Sequence, residues 1–151
     1  MKKIILILSF LISWIMGCVA SNSQDSCHFE IKHYKNNNCS IVNLAKPDDT
    51  EFLIRKLLSG IDDSYRLIVT ERTIQELKLT QCVEVLFERE LVITLKDGRT
   101  VHFKKILIPL NDTINTEVVL YCGQETYCTA PFVNTKGIED LKNLKRICGI
   151  D

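Results

Sequence analysis

Cysteine and histidine are the residues of this sequence that could support nucleophilic or metal chemistry. The chain of 151 residues contains seven cysteines and three histidines, which are His28, His33 and His102. His28 and His33 lie in an alternating, strand-like segment with an odd separation, so we expect their side chains on opposite faces. A catalytic cysteine also needs a neighbouring base and a lowered pKa, and the sequence shows neither. We therefore predict no Cys–His catalytic pair.

Neither the cysteine spacing nor the acidic pairs point to a reactive centre. Cys122 and Cys128 are separated by five residues, wider than the about two to four of a usual zinc knuckle, and no second close pair exists. Asp48-Asp49 is explained by a helix cap and Asp62-Asp63 by a turn. The sequence thus predicts no metal, no other cofactor and no catalytic residue, and we expect a protein that is not an enzyme.

The N-terminus has the three-part pattern of a secretory signal peptide. Lys2 and Lys3 precede an apolar stretch over residues 4–16, shorter than the ~20 residues of a membrane-spanning helix. The next feature, Ile15-Met16-Gly17-Cys18, resembles the bacterial lipobox, although Met16 stands where a smaller side chain is usual. The resemblance implies a signal peptide over residues 1–17 and acylation of Cys18, for example with palmitate. Cleavage after Ala20 is the alternative, and it would give a freely secreted protein.

A short tether and one domain follow Cys18. Residues 18–26 are mostly small and polar and predict a flexible tether, and residues 27–151 suffice for a single domain. The formal net charge of the full chain is zero, and it becomes negative once Lys2 and Lys3 are removed with the signal peptide. This balance argues against nucleic acid or an anionic membrane surface as a partner. We expect membrane contact only through the lipid anchor at the cell envelope, and another macromolecule, most simply a protein, as the partner.

The cysteines after Cys18 are even in number, so all of them can pair in an oxidising compartment. The sequence does not decide which pairs form. Our preferred pairing joins Cys122 to Cys128 as a local pinch, Cys27 to Cys39, and Cys82 to Cys148. The candidate disulfide residues are therefore Cys27, Cys39, Cys82, Cys122, Cys128 and Cys148.

The segment from Tyr121 to Cys128, around the predicted disulfide pinch, is the candidate binding loop. A pinched loop is ordered in advance and loses less entropy on binding, and tyrosine is common at recognition surfaces. A loop stapled for stability alone is the competing interpretation. The candidate binding residues are Tyr121, Gln124, Glu125, Thr126 and Tyr127.

Two other functional classes stay open at this stage. Asn38 and Asn111 each begin a glycosylation sequon, which would suit a secreted eukaryotic glycoprotein or effector. A small extracytoplasmic hydrolase with dispersed catalytic residues would require His102 beside a carboxylate in a deep cleft. Within the binding class, an inhibitor or immunity-type protein that neutralises an envelope-acting enzyme is one concrete form.

The first half of the domain shows strand, helix and strand patterns. Alternation predicts a strand over residues 27–34, followed by a turn at residues 35–38. A helix follows Pro47, with Asp48 as its cap, Glu51 in a capping box and Gly60 ending it in a left-handed conformation. Residues 65–70 predict a strand, and residues 71–79 fit either a short helix or a further strand.

The second half predicts a hairpin whose register can be worked out. A three-residue loop with Gly98 in the left-handed position sets Ile93 opposite Val101, and Leu91 opposite Phe103. A two-residue loop would instead set Ile93 opposite His102 and place apolar and polar residues on one face, so the longer loop is favoured.

The remaining elements complete the predicted fold. Pro109 argues for an edge strand or a bulge, residues 116–122 predict the last strand, and residues 137–148 predict a final helix closed by Gly149. We therefore predict an α+β fold with a single small, disulfide-stabilised domain. It would consist mainly of an antiparallel sheet with two helices on one face.

Overall fold

Seven strands form one antiparallel sheet in the computed structural model, which describes residues 28–110 and 116–150. The predicted signal peptide and tether, with Cys18 and Cys27, lie outside the described residues, as does Asn111. The order of elements along the chain is β1 (Phe29–Lys35), β2 (Asn38–Ile41), α1 (Pro47–Ser59), β3 (Asp63–Ser64), α2 (Glu71–Leu79), β4 (Gln81–Thr94), β5 (Thr100–Pro109), β6 (Val118–Gly123), β7 (Phe132–Asn134) and α3 (Ile138–Ile147).

The sheet order is β2-β1-β4-β5-β6-β7-β3, and each neighbouring pair is antiparallel. This confirms the predicted single domain with a mainly antiparallel sheet. The described residues contain three helices where two were predicted, because residues 71–79, which the sequence left undecided, form α2.

The main core lies between one face of the sheet and helices α1 and α3. Alternate residues of β1, β4 and β5 point into this core, as the period of a strand requires. Helix α1 contributes residues one turn apart, and α3 contributes one fully buried leucine. The residues of the main core include Ile31, Val83, Val85, Phe87, Ile106, Ile108, Ile54, Leu57, Leu58 and Leu144.

A smaller apolar cluster lies on the opposite face of the sheet, beneath α2. Ile74 of α2 packs there against Cys82, Leu107 and Tyr121 from the three central strands. In β5, Ile106, Leu107 and Ile108 are all fully buried, so this strand needs cover on both faces. The two predicted helices, α1 and α3, do share one face, but the sequence did not predict that a third helix, α2, covers the other.

The hairpin of β4 and β5 has the predicted register. Leu91 lies opposite Phe103, and Ile93 lies opposite Val101. Gly98 has a φ of 84°, and the Leu95 amide donates to the Arg99 carbonyl at 2.8 Å across the base of the loop. The three-residue loop is confirmed, because it alone keeps the apolar residues on the core side.

Helix α1 begins and ends differently from the prediction. Its N-cap is Lys46, which makes no side-chain cap, and Pro47 supplies the helical start. Gly60 has a φ of −77°, so it is not left-handed. A Cβ on Gly60 would lie 2.3 Å from Nδ2 of the buried Asn134, so a glycine is required there for close packing.

Several of the strand predictions differ from the structure. Residues 65–70 form no strand, although the Tyr65 amide donates to the Pro131 carbonyl at 3.1 Å and the Val69 amide donates to the Thr129 carbonyl at 2.8 Å. β7 follows β6, so residues 116–122 are not the last strand. Pro109 ends a central strand rather than an edge strand.

The chain after β1 forms a tight hairpin that the sequence indicated only as a turn. Asn36 and Asn37 have φ values of 50° and 64°, which asparagine tolerates better than most residues. This turn leads into β2, an exposed edge strand that the prediction missed.

Candidate functional site

A buried glutamate, Glu84, lies at the centre of the face that α2 covers. Only 5% of the surface of Glu84 is exposed to solvent. One carboxylate oxygen accepts a hydrogen bond from the Tyr34 hydroxyl at 2.8 Å, and the other accepts one from the Tyr127 hydroxyl at 2.5 Å. The Lys78 ammonium bonds both oxygens at 2.8 Å. The charge of the carboxylate is thus balanced by Lys78, and three donor groups hold it in position.

Four separate elements bring these side chains together. Glu84 alternates with Val83 and Val85 in β4, so it points away from the main core. Tyr34 lies on the adjacent strand β1, where it is opposite Cys82. Lys78 is in the last turn of α2, and Tyr127 lies in the loop after β6. No short sequence motif could have revealed a cluster assembled in this way.

Helix α2, which covers the cluster, begins with a capping box. The Thr70 hydroxyl accepts from the Thr73 amide at 3.2 Å, and the Thr70 amide donates to the Thr73 hydroxyl at 3.3 Å. This reciprocal pair provides a hydrogen-bond acceptor for each of two backbone amides at the start of the helix. At the other end, the Lys78 ammonium also lies 4.8 Å from the ring centre of Tyr34, within cation–π range.

Burial and hydrogen bonding shift the pKa values of Glu84, Tyr34 and Tyr127. Burial by itself would raise the pKa of Glu84, but the bonds from Lys78, Tyr127 and Tyr34 outweigh it and leave the pKa lowered. Burial, together with the bond to Glu84, raises the pKa of both tyrosines. The carboxylate therefore stays ionised and the hydroxyls stay protonated at neutral pH.

An open cavity of about 460 Å³ lies over this cluster. Glu84 and Ile74 line its base, and residues at the start and middle of α2 form one side. The other side comes from β5 and from the loop that follows β6. The residues of these two walls include Thr70, Glu71, Gln75, Lys105, Thr126 and Tyr127.

The loop wall is attached to β5 by two neighbouring lysines. Lys105 donates to the Glu125 carbonyl, and its ammonium lies 4.9 Å from the ring centre of Tyr127. Lys104 forms an ion pair with the Glu125 carboxylate at 2.8 Å. These contacts lower the pKa of Glu125 and raise that of Lys104, mainly through their mutual hydrogen bond.

The predicted binding loop is partly at the cavity and partly elsewhere. Glu125, Thr126 and Tyr127 line the cavity, and Gln124 is exposed. Tyr121 is buried in the cluster with Ile74, so it presents no binding surface.

The residues of the site that were not predicted from the sequence include Tyr34, Lys78, Glu84 and Lys105. One sequence signal was available for the central one. Glu84 interrupts an otherwise apolar run in β4, Cys82-Val83-Glu84-Val85-Leu86-Phe87, and this run indicates a strand covered on both faces.

The described cysteines, Cys39, Cys82, Cys122, Cys128 and Cys148, are all free thiols in the structure. The predicted pair of Cys82 and Cys148 is wrong, because Cys82 belongs to the cluster under α2 and Cys148 to the main core on the opposite face. The predicted partner of Cys39 lies outside the described residues. Disulfide stabilisation therefore remains a prediction.

The other candidate positions lie away from the cavity. His102 is 3.1 Å from Glu90 through its Nδ1 atom, but both side chains are nearly half exposed on the sheet. Asn38 is an exposed residue at the start of β2. Within residues 28–110 and 116–150, no group of three or more His, Cys, Asp or Glu side chains could hold a metal ion.

Two further observations bear on the class of protein. In the part of the chain that the structure describes, no helix is long and apolar enough to cross a membrane. Comparison of the chain with protein-family models, with curated proteins and with solved structures found no match.

Proposed function

We propose that this protein is an exported, lipid-anchored binding protein of the cell envelope that recognises a protein partner and catalyses no reaction. The anchor rests on the lipobox-like residues that end at Cys18. The single observation that carries the binding role is the cavity over Glu84, whose buried polar groups are satisfied by one another on a rigid sheet.

The arrangement at Glu84 suits a preformed surface better than a catalytic centre. The carboxylate already accepts bonds from Tyr34, Tyr127 and Lys78, so it has little capacity left to take a substrate proton. The raised pKa of each tyrosine makes its hydroxyl a weaker acid than an ordinary tyrosine. A rigid, satisfied site costs little to present to a partner.

Exposed apolar side chains beside the cavity support a protein partner. We name residues 65–70 the rim segment, because its last residue, Thr70, lines the cavity. Tyr65, Leu67 and Ile68 in this segment are 41%, 52% and 78% exposed. Aromatic and aliphatic groups next to a polar recess are typical of interface centres. An inhibitor or immunity-type protein that acts on an envelope enzyme is one form that this proposal takes.

The binding proposal is tested by capture from solubilised envelopes with two matched variants. Ile68→Asp places a charge on the rim segment, whereas Phe52→Asp makes the same kind of change on α1, where Phe52 is 64% exposed on the opposite face of the sheet. We expect wild type and Phe52→Asp to retain one specific protein and Ile68→Asp to lose it at least about tenfold. Equal retention by both variants, or no specific protein with wild type, would contradict the proposal.

The anchor has its own test. Mass spectrometry of the N-terminal peptide from the membrane fraction should show a peptide that begins at Cys18 and carries acyl chains. An unmodified N-terminus at Ser21 would contradict lipid anchoring and leave a secreted binding protein.

A further inference from the structure

We propose that a disulfide joins Cys122 to Cys128 in the exported protein and fixes the loop wall of the cavity, while Cys82 and Cys148 remain thiols.

The two cysteines lie directly opposite each other on antiparallel backbone. The Cys128 amide donates to the Cys122 carbonyl at 2.7 Å, and the adjoining residues Gly123 and Tyr127 form an antiparallel bridge. Directly opposite residues on antiparallel backbone are about 4.5 to 5.5 Å apart at Cα. Disulfides span Cα distances of about 4.4 to 6.8 Å, so the backbone needs little movement to form the bond.

Two other pairings of the described cysteines, both of which involve Cys82, are less favourable. Cys82 and Cys148 pack on opposite faces of the sheet. Cys39 and Cys82 both lie opposite Tyr34, one on each side of β1. Two strand spacings put their Cα atoms about 9.5 Å apart, beyond the ~7 Å limit for a bridge. Neither Cys39 nor Cys148 is therefore a suitable partner for Cys82.

The bond forms by exchange with an external disulfide, such as oxidised glutathione or a thiol oxidoreductase. Cys128 is exposed and Cys122 is buried, so the Cys128 thiolate attacks first and forms a mixed disulfide, releasing one external thiolate. The Cys122 thiolate then attacks the Cys128 sulfur of the mixed disulfide and releases the second. The two protein protons end on the two released thiols, and the external disulfide is reduced as the protein is oxidised.

The bond would close the base of a loop that is already tight. A Cβ on Gly123 would lie 1.9 Å from the Thr126 carbonyl oxygen, so the chain doubles back closely at this point. Tyr127, which bonds Glu84 at 2.5 Å, precedes Cys128 directly. Fixing Cys128 against Cys122 therefore restricts the position of the Tyr127 hydroxyl over the carboxylate.

The pairing is tested by equilibrating the purified protein in an oxidising glutathione buffer, alkylating it after unfolding, and mapping its peptides. Trypsin leaves both cysteines in one peptide, residues 106–136. We expect this peptide unalkylated and about two hydrogen masses lighter than its reduced form, with Cys82 and Cys148 alkylated. A Cys148→Ser variant should keep the bond. Alkylation of both loop cysteines, or a cross-link from Cys122 to Cys148, would overturn the proposal.

The effect on the cavity wall is measured separately by hydrogen exchange. Reduction should speed exchange at least about tenfold in residues 123–128 and leave the hairpin of β4 and β5 unchanged. A Cys128→Ser variant should match the reduced protein in both regions. Unchanged exchange in residues 123–128 would overturn the role in the wall. Neither measurement needs a binding partner, so its outcome is independent of the proposed function.

Discussion

The substitution Glu84→Gln tests whether the buried carboxylate organises the face under α2. It removes the charge that faces Lys78 and replaces one acceptor oxygen with an amide that donates hydrogen bonds. Tyr34 and Tyr127 donate to opposite oxygens of Glu84, so one of them must reorient or lose its acceptor.

The expected cost follows from what remains after the change. Removing one partner of a buried ion pair costs about 3 to 5 kcal/mol when the other charge stays buried. The side chain of Lys78 is 22% exposed and can reach water in part, and the glutamine keeps one carbonyl acceptor. We therefore expect the free energy of unfolding to fall by about 2 to 3 kcal/mol.

Urea unfolding, followed by far-ultraviolet circular dichroism, measures this change through a shift of the midpoint at constant slope. Glu90→Gln is the matched control, because Glu90 lies on the same strand but is exposed and pairs with His102 on the surface. We expect the control to change the free energy of unfolding by less than about 0.5 kcal/mol. A Glu84→Gln variant as stable as this control would refute the reasoning.

The pH dependence gives an independent check on the same substitution. Folding lowers the pKa of Glu84 below its ordinary value of 4.5, so the unfolded chain binds more protons in that range, and stability rises with pH. This contribution is complete above the unfolded pKa and is lost as pH falls through the folded one. The stability gap between wild type and Glu84→Gln should therefore narrow below about pH 5. A gap that is constant down to pH 3 would contradict the lowered pKa.

Three further predictions concern other parts of the molecule. In an alkaline absorbance titration, Tyr34 and Tyr127 should ionise at a pH above the ordinary tyrosine pKa of 10. Glu84→Gln should lower their titration midpoints only in part, since burial is the largest cause of each shift. Identical titrations of wild type and Glu84→Gln would contradict the contribution of the hydrogen bonds. Asn134→Ala should destabilise the protein by about 2 kcal/mol in urea unfolding, because Asn134 is buried and bonds the Leu57 carbonyl at 3.0 Å and the Lys136 amide at 3.1 Å. Asn143→Ala serves as control, because Asn143 is only partly buried, and equal stability of the two variants would argue against this role. Burial raises the pKa of the Cys82 thiol to about 12 and that of Cys148 to about 11, so neither should react with an aromatic disulfide reagent at pH 8 until the protein unfolds; rapid reaction in the native state would contradict their burial.

The cavity and the loop beside it could be found only in part from the sequence. The segment between Cys122 and Cys128 indicated Glu125, Thr126 and Tyr127, because tyrosine and polar residues between two cysteines are a local signal. The sequence gave no reason to exclude Tyr121, which directly precedes Cys122 and is buried because α2 packs over the sheet. Glu84 and Lys78 are close only because β4 follows α2 and passes beneath it.

Local features of the chain determined much of the fold by themselves. Gly98 and the alternation around it specify the loop and register of the β4–β5 hairpin, because a one-residue slip would expose every core residue of those strands. The apolar spacing and the charges of residues 137–148 specify α3, and Gly149 ends it with a φ of 64°.

Only the tertiary structure decided which strands that are distant in sequence are neighbours, and which residues each face of the sheet buries. β1 pairs with β4, far from it in sequence, and this pairing brings Tyr34 to Glu84. The cluster of Cys82, Leu107 and Tyr121 requires a helix on the second face, and this requirement separates Cys82 from Cys148. Such contacts depend on the burial of surfaces far apart along the chain, whereas propensity and periodicity report only on neighbouring residues.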